Sequence, residues 1–98
     1  MRRGEKTDAN QQAIVAGLCA VGCKVAITSG AGDGFPDLVV GSPFTGRVYP
    51  IEVKDGTLTP SKRALTPKQK KFHQEFAGYC WLANSLDGAL LIVGAKTT

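Results

Sequence analysis

The stretch that decides the fold spans residues 36–54 and reads PDLVVGSPFTGRVYPIEVK. It contains two runs rich in β-branched and apolar residues, 37–40 and 48–53, which predict two strands. The residues between them are dense in turn formers, and two strands joined by so short a loop are most simply an antiparallel hairpin. We therefore expect Asp37 and Glu52 to approach each other across neighbouring strands.

The second strand ends in the sequence Glu52-Val53-Lys54, which predicts chemistry on one face of the hairpin. Side chains alternate along a strand, so Glu52 and Lys54 share a face while Val53 points to the other. Two carboxylates, Asp37 and Glu52, suit Mg²⁺ or Mn²⁺, because these hard cations prefer oxygen ligands and keep several waters. The backbone carbonyl of Val53 is a further candidate ligand. An ammonium group beside such an ion can orient the attacking water or stabilise charge on a phosphate, so the pattern indicates metal-dependent phosphodiester cleavage.

Three blocks of the sequence, taken in order, resemble a known family. They are GFPDL at 34–38, IEVKDG at 51–56 and LTPKQKKFH at 65–73. Together they are similar to VRR-NUC, the virus-type replication-repair nuclease domain of the PD-(D/E)XK superfamily. This resemblance implies an α/β, restriction-endonuclease-like core with a small mixed β-sheet flanked by helices. We expect a single domain over 1–98, with residues 1–7 frayed.

The resemblance also implies an activity and a further site residue. In this family a glutamine on the helix that follows the hairpin borders the active site, and Gln69 takes that place. Stand-alone members, often encoded by phages or prophages, cut branched DNA such as four-way (Holliday) junctions as homodimers. The chain is therefore expected to be a Mg²⁺- or Mn²⁺-dependent DNA endonuclease in which Asp37, Glu52, Lys54 and Gln69 are catalytic.

One position departs from the family pattern. Many relatives carry a glutamate on the first helix that completes the metal site, whereas this helix offers Gln11 and Gln12. We place Gln11 nearest the site, where an amide ligates weakly or holds a water. The loss of a carboxylate favours chemistry with one metal ion.

Other interpretations of the same residues stay open. Taken singly, Asp37 fits a turn residue, Glu52 and Lys54 fit a solvated strand face, and Gln69 fits an exposed helix position. His73 fits an ordinary, partly buried helix histidine better than a general base. The alternative functions are a non-catalytic nucleic-acid-binding module, a subunit of a phage replication or repair complex, and an RNA-processing nuclease.

The charge of the chain favours a polyanionic partner. Its 98 residues include 12 Lys and Arg against 8 Asp and Glu, which gives a net charge of +4. The candidate phosphate contacts are Arg2, Arg3, Lys6, Lys62, Arg63, Lys68, Lys70 and Lys71. Because no aromatic residues interleave these basic residues, a base-stacking platform for single strands is not indicated.

Cysteine usage and hydropathy indicate a cytoplasmic location, and the family resemblance implies a bacterial host cell, with the chain encoded by the host, a phage or a prophage. Cys19, Cys23 and Cys80, with a single histidine, do not form a zinc-binding pattern, so buried free thiols in a reducing compartment are expected. No signal peptide is visible, and no apolar run approaches the roughly 20 residues of a membrane span.

The remaining elements follow from caps and periodicity. Asp8 or Asn10 is expected to cap a first helix that ends near Gly22 and places Ile14, Val15, Leu18 and Cys19 on one side. A strand over 24–28 and a flexible glycine-rich loop over 29–34 precede the hairpin, and a polar loop over 55–65 follows it. Thr66 and Pro67 start a second helix that sends Phe72 and Phe76 into the core. A strand over 79–83 and a last helix capped by Ser85 complete the chain.

Overall fold

The computed structural model describes residues 9–55 and 64–97. Within these ranges the chain forms three helices and four strands, and three of the strands follow one another directly after the first helix. The elements are α1 (Ala9–Ala20), β1 (Lys24–Ile27), β2 (Leu38–Gly41), β3 (Val48–Val53), α2 (Pro67–Glu75), β4 (Trp81–Ala83) and α3 (Leu86–Ile92).

The strands form one mixed sheet in the order β1-β2-β3-β4. The first three strands are antiparallel neighbours, and the register of the central hairpin pairs Leu38 with Ile51. The last strand, β4, lies parallel to β3 and pairs Ile51 with Trp81. A parallel neighbour requires a crossover, and α2 supplies it. The predicted hairpin and the mixed sheet are both confirmed.

The core lies between the sheet, α1 and α3. Ile14 and Leu18 of α1 are fully buried, as are Ala89 of α3 and Ile51 of β3. The two helices approach closely at Gly17, where a Cβ atom would lie 2.5 Å from the Leu86 side chain. This tight crossing holds α1 and α3 together on one face of the sheet.

Alternation along β3 assigns its two faces to different tasks. Tyr49, Ile51 and Val53 are buried in the core cluster. Glu52 points to the opposite face, yet it too is buried. On this second face the Gln69 side chain of the crossover helix α2 donates to Glu52, so α2 contributes to the environment of that carboxylate.

Helix ends are set locally. The N–H of Gly22 donates to the carbonyl of Cys19, and the N–H of Cys23 donates to that of Leu18, which is a Schellman motif. Gly22 adopts a φ of 100°, a conformation that side chains rarely take. The prediction that Gly22 ends the first helix is therefore confirmed.

Several predictions about single residues are wrong. Asn10 lies inside α1 rather than at its cap, and its side-chain amide donates to the carbonyl of Lys54. Cys19 is exposed, so only Cys23 behaves as a buried thiol. Phe76 is 45% exposed, and no residue of α2, all of which the structure describes, is buried. The rings of Phe72 and Phe76 stack on each other, with centroids 4.3 Å apart, instead of entering the core.

Other predictions fall outside the part of the chain that the structure describes. These are the frayed segment 1–7, the Asp8 cap, and most of the polar loop that follows Asp55. In the described ranges, no helix is both long and apolar enough to cross a membrane.

Candidate functional site

The two acids predicted from the hairpin come together. Asp37 immediately precedes β2, and the pairing of Leu38 with Ile51 places it opposite the end of β3 where Glu52 lies. The Asp37 carboxylate oxygen Oδ2 accepts a hydrogen bond of 3.0 Å from the backbone N–H of Val53. This bond fixes the first carboxylate against the backbone of the strand that carries the second.

Glu52 is a carboxylate in a costly environment. It is only 1% exposed, and its oxygen Oε1 is buried without a hydrogen-bond partner in the described structure. Burial, and then the neighbouring carboxylate of Asp37, raise the pKa of Glu52 to about 8, although Lys54 acts in the opposite direction. Without a cation, Glu52 is therefore mostly protonated near neutral pH, and any cation placed beside Oε1 would favour the charged form.

Gln69 connects the second acid to the lysine. Its amide nitrogen Nε2 donates to Glu52 Oε2 at 2.7 Å, and its oxygen Oε1 accepts from Lys54 Nζ at 2.9 Å. The Lys54 ammonium itself lies 3.8 Å from Glu52 Oε2. Gln69 thus occupies one oxygen of Glu52, leaves Oε1 facing the site, and holds the ammonium at a defined distance.

The cap of α2 explains why Gln69 is oriented in this way. Thr66 is the N-cap, and its hydroxyl accepts from the Gln69 N–H while the Gln69 side chain accepts from the Thr66 N–H. This reciprocal arrangement is a capping box, with Pro67 in the first turn. Because Oε1 faces two donors and Nε2 faces a carboxylate, the amide has one favourable orientation. The same side chain therefore starts the helix and connects Glu52 with Lys54.

The glycine-rich loop has a packing role that the sequence analysis did not predict. Gly34 adopts a φ of 79°, and a Cβ atom there would lie 2.3 Å from the Lys68 carbonyl oxygen. The next residue, Phe35, packs edge to face on Phe72 with ring centroids 5.4 Å apart. The segment that leads into Asp37 thus packs against the first turns of α2, and this packing couples the position of Asp37 to that of Gln69.

Comparison with known proteins places this arrangement in a family. Neither a family sequence model nor a curated protein matches the chain. A solved structure described as a VRR_NUC domain is similar to it, with 28% sequence identity and a TM-score of 0.60 over 84% of this chain and 88% of that chain. The chain therefore resembles a VRR-NUC domain in fold and in sequence. The family resemblance and the mixed α/β fold predicted from the sequence are confirmed, and the match supports membership of a nuclease-domain family.

A histidine and a cysteine lie close to the residues that surround the acid pair. His73 follows Gln69 by one helical turn, and its Nδ1 atom is 3.3 Å from Cys80 Sγ. Burial, and then the charge of Lys54, lower the pKa of His73, whereas burial and the charge of Glu52 raise the pKa of Cys80. Both groups are therefore neutral near pH 7. The sequence analysis did not predict this pair, because seven residues and a turn separate its members along the chain.

The first helix reaches the same end of β3. The bond from the Asn10 amide to the Lys54 carbonyl, 2.9 Å long, ties the first turn of α1 to the residue that follows the strand. Gln11, the next residue, is 6% exposed. Its role as a replacement for a carboxylate stays a prediction.

The predicted phosphate contacts are only partly described. Lys68, Lys70 and Lys71 are exposed on α2, the helix that carries Gln69. Lys68 lies 3.9 Å from Asp33, but both side chains are well exposed, so this pair contributes little. The other predicted contacts, Arg2, Arg3, Lys6, Lys62 and Arg63, lie outside the described residues.

The acid pair is compatible with a hard divalent cation. Among residues 9–55 and 64–97, no group of three or more His, Cys, Asp or Glu side chains is arranged to hold a metal ion. Mg²⁺ does not require one, since it is commonly bound through one or two carboxylates together with waters and substrate phosphates. The buried, unpartnered Oε1 of Glu52 beside Asp37 is the kind of oxygen that such an ion would ligate.

Proposed function

We propose that this VRR-NUC-like domain is a Mg²⁺- or Mn²⁺-dependent DNA endonuclease whose centre is formed by Asp37, Glu52, Lys54 and Gln69. A single observation carries the proposal. Oε1 of Glu52 is buried beside a second carboxylate and has no hydrogen-bond partner in the described structure. A buried, unpaired carboxylate is unfavourable unless a proton or a cation compensates its charge.

The donor atoms favour a hard cation. Asp37 and Glu52 would both ligate through carboxylate oxygens, and we propose the Val53 backbone carbonyl as a third oxygen ligand. The described thiol of Cys80 is neutral and is engaged with His73, so a soft-metal site of the zinc type is disfavoured. Gln11, with its neutral amide, would be a weak fourth contributor.

The side chains of the chain would then have distinct tasks. When bound, the cation would neutralise the charge that develops on the phosphate and lower the pKa of a nearby water. Lys54, held by Gln69 at 2.9 Å, would donate to a phosphate oxygen or orient the attacking water. Gln69 would keep Lys54 and Glu52 apart while satisfying one oxygen of Glu52, so that the ammonium does not collapse onto the acid pair.

The substrate is proposed to be branched duplex DNA, such as a four-way junction, cut by a homodimer. The net charge of +4 and the exposed lysines of α2 support a polyanionic substrate that passes over the helix carrying Gln69. Two copies related by a twofold axis would present one site to each of two strands, which matches the symmetry of a four-way junction.

Cleavage of labelled substrates tests the proposal. A four-way junction and a linear duplex of the same composition are incubated with Mg²⁺, Mn²⁺ or EDTA. We expect cutting that needs the cation, prefers the junction, and is lost in Glu52→Gln. Glu75→Gln, the same substitution at an exposed glutamate of α2, is the matched control and should cut normally.

Calorimetry separates catalysis from simple binding. Mn²⁺ should bind the wild type with release of heat, and Asp37→Asn should abolish that binding. DNA binding without Mn²⁺ uptake or cutting would refute the endonuclease and favour the non-catalytic nucleic-acid-binding module. Light scattering tests the homodimer independently.

A further inference from the structure

A second concave site lies at the opposite end of β3 from Glu52. It is a cavity of about 640 Å³, within the size range of small-molecule and nucleotide sites. Its walls come from the turn before β3, the segment between α2 and β4, and the last residues of α3. The side chains that line it are those of Arg47, Val48, Tyr49, Tyr79, Trp81 and Ile92.

Three aromatic rings give this cavity its character. Tyr49 and Trp81 meet edge to face, with ring centroids 5.0 Å apart, and the Tyr49 hydroxyl donates to Thr45 Oγ1 at 2.8 Å. These contacts hold both rings rigidly. Tyr79, in contrast, is 71% exposed at the mouth of the cavity. An exposed ring beside two fixed ones is an arrangement on which a flat base can stack.

The Arg47 side chain adds a positive charge to this cavity. Arg47 is exposed at the rim, and within the described part of the chain no carboxylate pairs with it. None of the described residues lining the cavity is acidic. A guanidinium group beside aromatic rings is suited to contact a phosphate while the adjacent base stacks.

We infer that this cavity binds an unpaired nucleotide of single-stranded DNA, with its base on Tyr79 and Trp81 and its phosphate on Arg47. The inference rests on the proposed function only in taking DNA as the ligand. It reverses the expectation that the chain has no aromatic platform beside a basic residue, because Arg47 and Tyr79 are distant in sequence and meet only in the fold. Branched DNA with single-stranded arms, such as a fork or a flap, offers unpaired nucleotides, which gives such a site a use beside a nuclease centre.

The chain carries its own probe for this site. Trp81 is its single tryptophan, so intrinsic fluorescence reports on the cavity directly. A short oligothymidylate is titrated into the full chain in EDTA, where no cleavage occurs, and the same titration is followed by anisotropy of a labelled oligonucleotide. We expect quenching of Trp81 that saturates together with the anisotropy signal.

Substitutions assign the roles. Tyr79→Ala should weaken binding by about fivefold or more, the lower range for loss of one stacked base, and Tyr79→Phe should restore it. Arg47→Ala should reduce the slope of log affinity against log salt by about 0.7, as expected for one lost phosphate contact on a single strand. Phe44→Ala, which removes an exposed ring outside the cavity, should change neither value. Melting curves confirm that each variant is folded.

Several results would overturn the inference. Absence of both signals in the wild type would do so, as would equal weakening by Phe44→Ala and Tyr79→Ala. A shift of Trp81 emission with protein concentration alone would mean that a second copy of the chain covers the cavity. A wild type that binds the oligonucleotide but cuts neither the junction nor the duplex with Mg²⁺ or Mn²⁺ would count against the endonuclease and not against this site.

Discussion

The state of Glu52 makes a quantitative prediction about stability. In EDTA, the folded chain holds the pKa of Glu52 at about 8, because of burial and then the Asp37 carboxylate, while the ordinary value is 4.5. Between these values the folded chain binds more protons than the unfolded chain, so stability falls as the pH rises. At about 1.4 kcal/mol per pH unit, the raised pKa of Glu52 lowers the free energy of unfolding at pH 7 by at most about 3 kcal/mol. That is a large part of the roughly 5–15 kcal/mol that stabilises a typical domain.

Glu52→Gln removes this titration while retaining an oxygen that can accept from Gln69. The variant is therefore expected to be more stable than the wild type at pH 8 in EDTA and to show little advantage at pH 5. For a chain of this size, 1 kcal/mol corresponds to roughly 4–8 °C in melting temperature, so a difference of roughly 15 °C or more at pH 8 is expected. Thermal unfolding followed by circular dichroism measures it.

The divalent cation provides the second half of the test. Mg²⁺ or Mn²⁺ should raise the melting temperature of the wild type at pH 8, because an ion that binds only the folded chain stabilises it. The same ion should leave Glu52→Gln nearly unchanged, and the control Glu75→Gln should follow the wild type. A wild type whose stability rises from pH 5 to pH 8 in EDTA, or an equal pH dependence in Glu52→Gln, would refute the reasoning.

Three further predictions concern Gln69, the glycine-rich loop and the cysteines. Gln69→Ala should lower cleavage by roughly 10- to 100-fold, the usual effect of removing a residue that orients a site. Thr66→Ala should cost about 1 kcal/mol of stability in urea unfolding and retain most of the cleavage activity. Equal activity losses in the two variants would contradict the bridging role of Gln69. Gly34→Ala should destabilise the fold by about 2 kcal/mol or more, since its φ of 79° and the Lys68 carbonyl both exclude a side chain. Gly30→Ala, where nothing lies within 4 Å, should change stability by less than about 0.5 kcal/mol, and similar effects at the two glycines would show that the loop does not pack on α2. Iodoacetamide should label Cys19 first and Cys23 last, because Cys19 is exposed while burial raises the pKa of Cys23. Mass spectrometry of timed samples measures the order of labelling, and early reaction of Cys23 would contradict the prediction.

Local patterns predicted much of the fold. The alternation of residues 48–53 and the turn before them predicted the hairpin, and the sequence Thr66-Pro67 predicted the start of α2. The glycine at position 22 predicted the end of α1. Each of these signals acts over a few residues, through backbone sterics or a single hydrogen bond, and therefore remains readable along the chain.

Long-range features were less accessible. The exposure of Cys19 and Phe76 depends on which side of each helix meets the sheet, and short helices leave that choice open. The crossover helix α2 packs against Gly34 and brings His73 into contact with Cys80, and both contacts depend on where α2 lies in the fold. No local propensity reports on such packing.

The sequence by itself determined that Asp37, Glu52 and Lys54 share one face of a hairpin, because strand pairing and the alternation of side chains leave little freedom. Only the tertiary structure decided what kind of acid Glu52 is. Its carboxylate is buried, one of its oxygens accepts from Gln69 of the crossover helix, and the other has no partner in the described structure. Burial depends on neighbours that are distant in sequence, and that burial is the physical reason why this carboxylate requires a proton or a cation.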